Sequence, residues 1–435
     1  MSNYEKANEL FELGLKYAMG DGVEQDQEKA MEYYKKASEQ GDAKATALLA
    51  AIAAKNKKPE EIQTEMVKTL ATYIENRDMA KIRRDAEAGD ALMQEELGWS
   101  YETGQGVEQN YIEAVKWYRL AAENGSDNAQ WRLGQMYELG RGVEKNDEEM
   151  AKWYEKSAKN GNPKGQNAYG WCYAHGYGVK QNDIEAVMWY KRAADNGDLD
   201  GRYHLATAYE LGLGVERNYI EAEKWYRLAA EKGDSRAQER LGYLYGMGLG
   251  VVKNLSEAFM WFQRAAKQGN SFGQLNLGNT YFKGLGVEKD YAEAAKWYRA
   301  AAEQGLAEAQ RRLGLMYIDG QGVEQNYTEA EKWIRMAVNQ EDGHAKYTLG
   351  WMYDHGRGVK QDPVEAAKWF LESAEQGVGL AQYVIGRFYS NGRGVKQDYA
   401  EAVKWLKKAA DQGYDDAKYE IALIYSYGQG PKATN

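Results

Sequence analysis

Apolar residues recur along the chain at helical spacing, in short stretches that end at glycine-containing turns. In residues 129–140, the sequence AQWRLGQMYELG places Ala129, Leu133 and Tyr137 four residues apart, and therefore on one helical face. Gly134, beside Leu133, lowers the helix propensity but lets a neighbouring helix approach closely. The pattern predicts a first helix, helix A, that buries this face.

A second apolar stripe follows each turn of the GRGV type. In residues 113–125, EAVKWYRLAAENG places Ala114, Trp117 and Ala121 on one buried stripe and ends at a glycine suited to a left-handed C-terminal cap. Asn110 stands three residues before Glu113, which resembles a capping box with Asn in place of Ser or Thr. The pattern predicts a second helix, helix B, joined to helix A by a turn in which glycines take positive φ.

The two-helix unit repeats every 36 residues. Gly-x-Gly pairs recur at this interval from Gly106 to Gly430 without slippage. Tryptophan recurs at the same interval, at Trp117, Trp153, Trp189, Trp225, Trp261, Trp297, Trp333, Trp369 and Trp405. We interpret these tryptophans as structural knobs, and we expect Trp117→Ala to cost roughly 3 to 5 kcal/mol and Trp131→Ala to cost less.

The motif LGxxYxxGxGV, followed by a capped helix carrying A-x-x-WY-x-x-AA-x-x-G, resembles the Sel1-like repeat family, which is related to tetratricopeptide-repeat proteins. The resemblance implies an all-α fold, an α/α superhelical solenoid of about eleven to twelve 36-residue helix-turn-helix repeats. We predict an N-terminal repeat over residues 1–42 and a continuous array over 91–435 that ends in a half repeat. Residues 43–90 form either a degenerate, lengthened helical repeat or a hinge.

Composition and charge narrow the function. The chain is 43% hydrophobic and 28% charged, as in folded proteins. It contains no run of 18 apolar residues, so we predict no membrane insertion. The formal charge is −10, and Lys and Arg alternate with Glu along the helices, which argues against a nucleic-acid partner. Cys172 is the single cysteine and no signal peptide is recognised, so we expect a cytoplasmic location.

Residues that could carry chemistry do not form a recognisable catalytic or metal site. Gly-x-Gly cradles phosphate where it joins a strand to a helix, but here it joins two helices and repeats. Cys172 and His175 lie three residues apart, yet no second Cys or close His completes a zinc set. His204 and His344 lack an adjacent Ser or Cys nucleophile. We therefore expect neither an enzyme nor a cofactor or metal.

Candidate binding residues emerge where the repeat imposes no consensus. The helix A positions two before and two after the central Leu lie four apart, on one face, and nine of these twenty residues are Trp or Tyr. Such a density exceeds that of a solvated face, and Arg or His often stands just before the Leu. The predicted partner-binding residues are Trp99, Trp131, Arg132, Trp171, Tyr203, His204, Arg240, Tyr243, Arg311, Arg312, Tyr347, Trp351, Tyr383, Arg387 and Tyr419.

The family resemblance gives this face a location and a role. In Sel1-like and related repeats helix A lines the concave side, and family members act as adaptors in protein quality control, cell-envelope signalling and host interaction. We therefore expect a non-catalytic scaffold that binds a protein or peptide there; the sequence specifies neither the partner nor the oligomeric state. The alternatives are an immunity or inhibitor protein that occludes a cognate toxin, and a hydrolytic enzyme whose site is not visible in sequence. In a competing interpretation of the aromatics, some of these rings are ordinary contacts between adjacent A helices.

Overall fold

The computed structural model describes residues 3–20, 23–39, 45, 48–49 and 79–427, and every regular element within them is an α-helix. The chain divides into two compact units, Met1–Asn218 and Tyr219–Asn435. The described helices of the first unit are α1 (Asn3–Met19), α2 (Gln27–Glu39), α3 (Met79–Glu87), α4 (Ala91–Thr103), α5 (Tyr111–Glu123), α6 (Asp127–Leu139), α7 (Asp147–Lys159), α8 (Pro163–His175), α9 (Asp183–Asp195) and α10 (Leu199–Leu211).

The second unit continues the same alternation of short helices. Its described helices are α11 (Tyr219–Ala230), α12 (Ser235–Met247), α13 (Leu255–Lys267), α14 (Ser271–Lys283), α15 (Tyr291–Glu303), α16 (Ala307–Asp319), α17 (Tyr327–Val338), α18 (Gly343–His355), α19 (Pro363–Glu375), α20 (Gly379–Asn391), α21 (Tyr399–Asp411) and α22 (Asp415–Ser426). Within each unit, a helix A packs most extensively against the helix B that follows it.

Two predictions fall partly outside the described residues. Of the segment 43–90, only residues 45, 48–49 and 79–90 are described, and α3 occupies most of the last stretch. Residues 428–435, at the predicted half repeat, are likewise outside the described residues. The division at residues 42 and 90 therefore stays a prediction.

In most of the described helical pairs, an aromatic or aliphatic side chain of helix B packs directly on a glycine of helix A. Tyr154, in helix B, is 1% exposed, and a Cβ added to Gly134, in helix A, would lie 2.5 Å from its ring. Gly278 and Tyr298 repeat this contact in the second unit. The expectation that Gly134 permits a close approach is thus confirmed, with an aromatic ring as the group that approaches.

The repeated tryptophans occupy two environments. Trp153 is buried in a cluster with Ala114 and Tyr118 of the preceding repeat, so it connects consecutive repeats as a knob should. Trp117, Trp297 and Trp369 are only half-buried. Placing Trp117 on the buried stripe was therefore wrong; Tyr118, one residue further on, lies in the interior instead and is 0% exposed.

The Gly-x-Gly turn has a distinct requirement at each glycine. Gly140 ends α6 in the left-handed conformation, and its N–H donates to the carbonyl of Met136. Gly142 also has positive φ, and a Cβ there would lie 2.1 Å from the carbonyl oxygen of Tyr111, at the start of the preceding helix B. The second glycine therefore brings the turn against the backbone of the previous repeat, which accounts for its recurrence.

The cap of helix B is confirmed, but the reciprocal half of the capping box is not. The Oδ1 of Asn110 accepts hydrogen bonds from the N–H groups of Ile112 and Glu113, at 3.0 and 3.1 Å. The N–H of Asn110 donates instead to the carbonyl of Tyr101, at 2.8 Å, and the Glu113 carboxylate pairs with Lys116. The cap thus fastens the turn to the end of helix A.

A ladder of buried amides links consecutive repeats. The Nε2 of Gln130 donates to the carbonyl of Ala122 in the preceding helix B, at 3.0 Å, while its Oε1 accepts from the Nδ2 of Asn160 in the following one, at 2.9 Å. Gln310 makes the equivalent bonds in the second unit, to Ala302 and Gln340. This glutamine is therefore a buried connector, although its polarity suggests a surface position.

Because both bonds of Gln130 are buried or partly buried, we expect Gln130→Ala to lower the free energy of unfolding by about 2 kcal/mol. Denaturant unfolding followed by circular dichroism measures the change. Gln135→Ala is the matched control, because Gln135 lies on the same helix but is half-buried. Equal losses in the two variants would contradict a connecting role for Gln130.

One repeat replaces the glycine that ends helix B. Glu341 takes this position with φ 63°, the only positive φ at a non-glycine residue within the described part of the chain. In the following helix A, Lys346 occupies the position that holds the connecting glutamine in other repeats. Its ammonium group pairs with Glu341 and Glu372, at 2.5 and 3.1 Å. The amide connection is thus exchanged for an ionic one at this repeat.

Candidate functional site

The fifteen predicted partner-binding residues all lie on A helices. Thirteen are half-buried, whereas Arg387 and Tyr419 are exposed. Leu133, between two of these positions, is 0% exposed. The predicted face is therefore distinct from the core beneath it.

In the first unit, the A helices of three consecutive repeats surround a cavity of about 450 Å³. Three predicted residues line it: Trp131 on α6, Trp171 on α8 and His204 on α10. Trp99 and Arg132 line a second, smaller cavity of about 280 Å³, and Tyr203 packs edge-on against His204. Part of the predicted set thus converges on one place, which we call the tryptophan cavity.

Hydrogen bonds hold the walls of the tryptophan cavity. The Nδ1 of His204 lies 2.8 Å from the Oδ1 of Asn167, which joins α10 to α8. At the base, the hydroxyl of Tyr154 donates to the Glu138 carboxylate. These contacts join side chains from neighbouring helices, so the cavity is shaped before any ligand enters.

Charged side chains that are not among the predicted residues also line the tryptophan cavity. They are Glu138, Lys164, Asp198 and Asp200. Asp198 caps α10 by accepting from the N–H of Gly201, and burial raises the pKa of its carboxyl. A charged residue at a helix cap or in a first turn is explained by its role in the helix, so the sequence alone gives no reason to assign it to a site. The packing of neighbouring repeats shows that these charged residues lie around Trp131 and Trp171.

Two cations lie against Trp131. The guanidinium carbon of Arg132 is 4.9 Å from the ring centroid, and the Nζ of Lys164, from the next repeat, is 4.8 Å from it. Both distances are within the range of cation–π attraction. The indole of Trp131 is therefore a cation-binding surface within the chain itself.

Trp171 extends the aromatic surface to the turn. Its ring lies 4.9 Å from those of His175 and Tyr177, and Tyr177 is 41% exposed. Tyr177 is not among the predicted residues, because the prediction was confined to helix positions. The signal available was a large aromatic residue between the two glycines of a turn.

In the second unit, several predicted residues are engaged by neighbouring side chains. Arg311 forms an ion pair at 3.4 Å with Asp342, which caps the following helix A, and Arg387 forms one with Glu420 at 3.3 Å. Tyr347 packs on Phe370, with ring centroids 5.5 Å apart. These contacts agree with the interpretation that part of the set connects or supports repeats, and a role in partner binding stays a prediction for all fifteen residues.

Cys172 and His175, the pair considered as metal ligands, lie in different environments. Cys172 is fully buried, and burial raises the pKa of its thiol to about 12, whereas His175 is exposed and its Nδ1 lies 3.0 Å from the carbonyl of Trp171. Among the described residues, no three His, Cys, Asp or Glu side chains are grouped so as to hold a metal ion. The same part of the chain contains no helix with the length and apolarity of a membrane span.

Comparison with known families decides what this repeat is. The model described as Sel1 repeat matches residues 10–42, 91–126, 127–162, 163–198, 199–234, 235–270, 271–306, 307–342, 343–378, 379–414 and 415–435. The chain belongs to the Sel1 repeat family. Its fold class is accordingly an all-α solenoid of Sel1 repeats, as the sequence predicted.

Solved Sel1 repeat proteins resemble this chain over most of its length. A protective antigen of uropathogenic Escherichia coli strains with an SLR fold is 34% identical, with a TM-score of 0.73, and the match covers 97% of this chain and 88% of that one. A Sel1 repeat protein from Oxalobacter formigenes is 29% identical, with a TM-score of 0.54, and the match covers 76% and 94%. A search of curated proteins returned no match.

An immunity protein is among the weaker structural matches. The immunity protein Pa5087 from Pseudomonas aeruginosa is 20% identical, with a TM-score of 0.33, and the match covers 52% of this chain and 82% of that one. A similarity this slight carries no argument about function. The family and fold are therefore established, while the partner must be inferred from the site.

Proposed function

We propose that this Sel1 repeat protein is a non-catalytic scaffold that binds a protein or peptide partner along its helix A face. The observation that carries the proposal is the tryptophan cavity, in which Trp131, Trp171 and His204 from three consecutive repeats line one space of about 450 Å³. This volume lies within the range of ordinary ligand sites. A partner side chain can therefore enter while the rest of its segment lies along the A helices.

The partial burial of the two tryptophans suits them to binding a partner. Trp131 and Trp171 are half-buried, so part of each indole is held by the scaffold and part is accessible. A large ring held in place loses little conformational freedom on binding, which is why Trp, Tyr and Arg are frequent at the centres of interfaces. The hydrogen bond between His204 and Asn167 further limits movement of the cavity wall.

The chemistry of the nearby groups supports binding rather than catalysis. A cysteine nucleophile needs a lowered pKa, but burial raises that of Cys172. His204 faces the amide oxygen of Asn167 at 2.8 Å, where a catalytic base would face a nucleophile. We therefore assign no reaction to the tryptophan cavity.

The test is capture of partners from a source-cell lysate, followed by a binding measurement with the purified partner. We expect Trp131→Ala/Trp171→Ala to abolish capture and to weaken binding by at least tenfold, because both cavity walls are lost. The control variant Ile112→Ala/Ile184→Ala removes apolar groups that are 58% and 63% exposed on B helices of the same unit, and it should bind normally. Unchanged capture by the tryptophan variant, with its helicity retained, would overturn the proposal.

A further inference from the structure

Opposite charges lie together at the tryptophan cavity. The guanidinium group of Arg132 lies 3.8 Å from the Glu102 carboxylate. Lys164 and Arg202 both attract the carboxyl of Asp198 electrostatically. The cavity therefore does not select a ligand by net charge, and its hydrogen-bonding groups and its rings decide what fits.

Several hydrogen-bond donors of the tryptophan cavity have no protein acceptor. Within the described part of the chain, no protein group accepts from the indole N–H of Trp131 or Trp171, from the Nδ2 of Asn167 or from the Nζ of Lys164. The unpaired indole nitrogen of Trp153 is buried in the core, whereas those of the two cavity tryptophans are accessible to solvent. The cavity thus offers N–H groups to a ligand from four side chains.

The acceptors of the tryptophan cavity are already engaged to a greater extent. The Glu138 carboxylate accepts from a tyrosine hydroxyl, and the Oδ1 of Asp198 accepts from the N–H of Gly201 at 2.6 Å. The Oδ1 of Asn167 lies 2.8 Å from the Nδ1 of His204. Because unpaired donors remain while these acceptors are bonded, a ligand that brings acceptors satisfies more groups than one that brings donors.

One indole of the cavity presents an apolar surface to a ligand. Arg132 and Lys164 lie over the ring of Trp131, at 4.9 and 4.8 Å from its centroid, and so cover part of it. Trp171 is half-buried, and its ring lies 4.9 Å from that of Tyr177, which is 41% exposed. Trp171 and Tyr177 therefore supply the ring surface, and Trp131 contributes mainly its N–H.

We propose that the tryptophan cavity receives a proline-rich segment of the partner protein in the polyproline II conformation. Proline has no N–H, so such a segment brings carbonyl acceptors and no competing backbone donors. Its backbone is already extended before binding, which limits the ordering cost, and its rings pack well on aromatic side chains. The rings pack on Trp171, and the carbonyls accept from the unpaired N–H groups of the lining. This inference rests on the proposed scaffold function and specifies the chemistry of its partner.

The probe is a decapeptide, acetyl-Gly-Ser-Pro-Pro-Pro-Pro-Pro-Pro-Ser-Gly-amide, titrated into the full-length chain by calorimetry. The matched peptide carries alanine in place of every proline, so it is also neutral but has an N–H at each position. We expect the proline peptide to bind at least tenfold more tightly. N-acetylchitotriose, a neutral sugar with both donors and acceptors, should bind more weakly than the proline peptide. Equal affinity of either competitor would overturn the proposal.

A variant of one indole tests the hydrogen bond without removing the ring. Trp171→Phe keeps an aromatic surface but loses the N–H, and it should weaken the proline peptide at least threefold. Trp117→Phe makes the same change at a half-buried tryptophan of helix B in the same unit, and it should leave the affinity unchanged. Indistinguishable affinities in the two variants would contradict the role of the Trp171 N–H and the proposal with it.

Salt dependence separates recognition of a neutral ligand from attraction between charges. Raising NaCl from about 50 mM to about 500 mM screens exposed charges, but the proline peptide carries none. Its affinity should therefore change less than twofold. A greater loss of affinity at high salt would mean that charge drives the binding, and the proposal would be wrong.

Competition with the captured partner distinguishes failure of this inference from failure of the scaffold function. Excess proline peptide should displace the partner from the unmodified chain, and the alanine peptide should not. If Trp131→Ala/Trp171→Ala loses its partner but the proline peptide neither binds nor displaces it, the proline inference is wrong and the scaffold proposal stands. If the tryptophan variant retains its partner, the scaffold proposal is wrong and the proline inference fails with it.

Discussion

Replacing Gly178 by alanine is expected to lower the free energy of unfolding by roughly 2 to 5 kcal/mol. Gly178 has φ 67°, which disfavours any residue with a Cβ, and that Cβ would lie 1.9 Å from the carbonyl oxygen of Asp147. The contact is with backbone, so the turn or α7 must move. Denaturant unfolding measures the loss, and hydrogen exchange in α7 and α8 locates it.

Gly161→Ala is the matched control for this substitution. Gly161 also has positive φ, 94°, but nothing lies within 4 Å of the added Cβ. Its cost should be limited to the backbone conformation, roughly 1 to 2 kcal/mol. If the two alanine variants lost equal stability, the close approach of Gly178 to Asp147 would not be the source of the effect.

Tyr154→Ala is expected to lower the free energy of unfolding by roughly 3 to 5 kcal/mol. The ring is buried against Gly134, which has no side chain to fill the space, and its hydroxyl donates to Glu138. The substitution therefore leaves both a cavity and a carboxylate without this donor. Thermal and denaturant unfolding, with helix content checked by circular dichroism, measure the effect.

Two further variants separate the contributions at Tyr154. Tyr154→Phe keeps the packing and loses the hydrogen bond, and it should cost about 1 to 2 kcal/mol. Trp131→Ala removes a larger ring that is only half-buried, and it should cost clearly less than Tyr154→Ala. A Trp131→Ala loss as large as that of Tyr154→Ala would show that Trp131 belongs to the scaffold core.

The periodicity of the sequence predicted the fold because the same residue types recur at the same packing positions in each repeat. The spacing of Ala129, Leu133 and Tyr137 identified helix A, and the recurrence of glycine identified the turns. The pattern did not show whether Trp117 or Tyr118 lies in the interior, since adjacent residues on a helix differ by only about 100°. It also did not reveal the bonds of Gln130, because one partner, Ala122, lies in the preceding repeat.

The candidate site was predictable in part for a related reason. Trp131 and Trp171 were selected because the repeat does not require aromatic residues there. Lys164 and Asp198 were not selected, because they occupy the first turn and the cap of their helices. Their presence around the same cavity depends on how α8 and α10 pack beside α6, which a single repeat sequence does not encode.

From Gly142 to Gly394, the close approach of the second turn glycine to the preceding helix B fixes the number of residues between the two contact points. Gly142 and Gly178 each meet a carbonyl at the start of the helix B before them, at 2.1 and 1.9 Å from an added Cβ. One inserted or deleted residue between these partners would carry the glycine away from its seat and bring a side chain into it. The array can therefore gain or lose length only by complete 36-residue repeats. Such a change keeps the distance between equivalent surface positions of neighbouring repeats, including any that bind a partner.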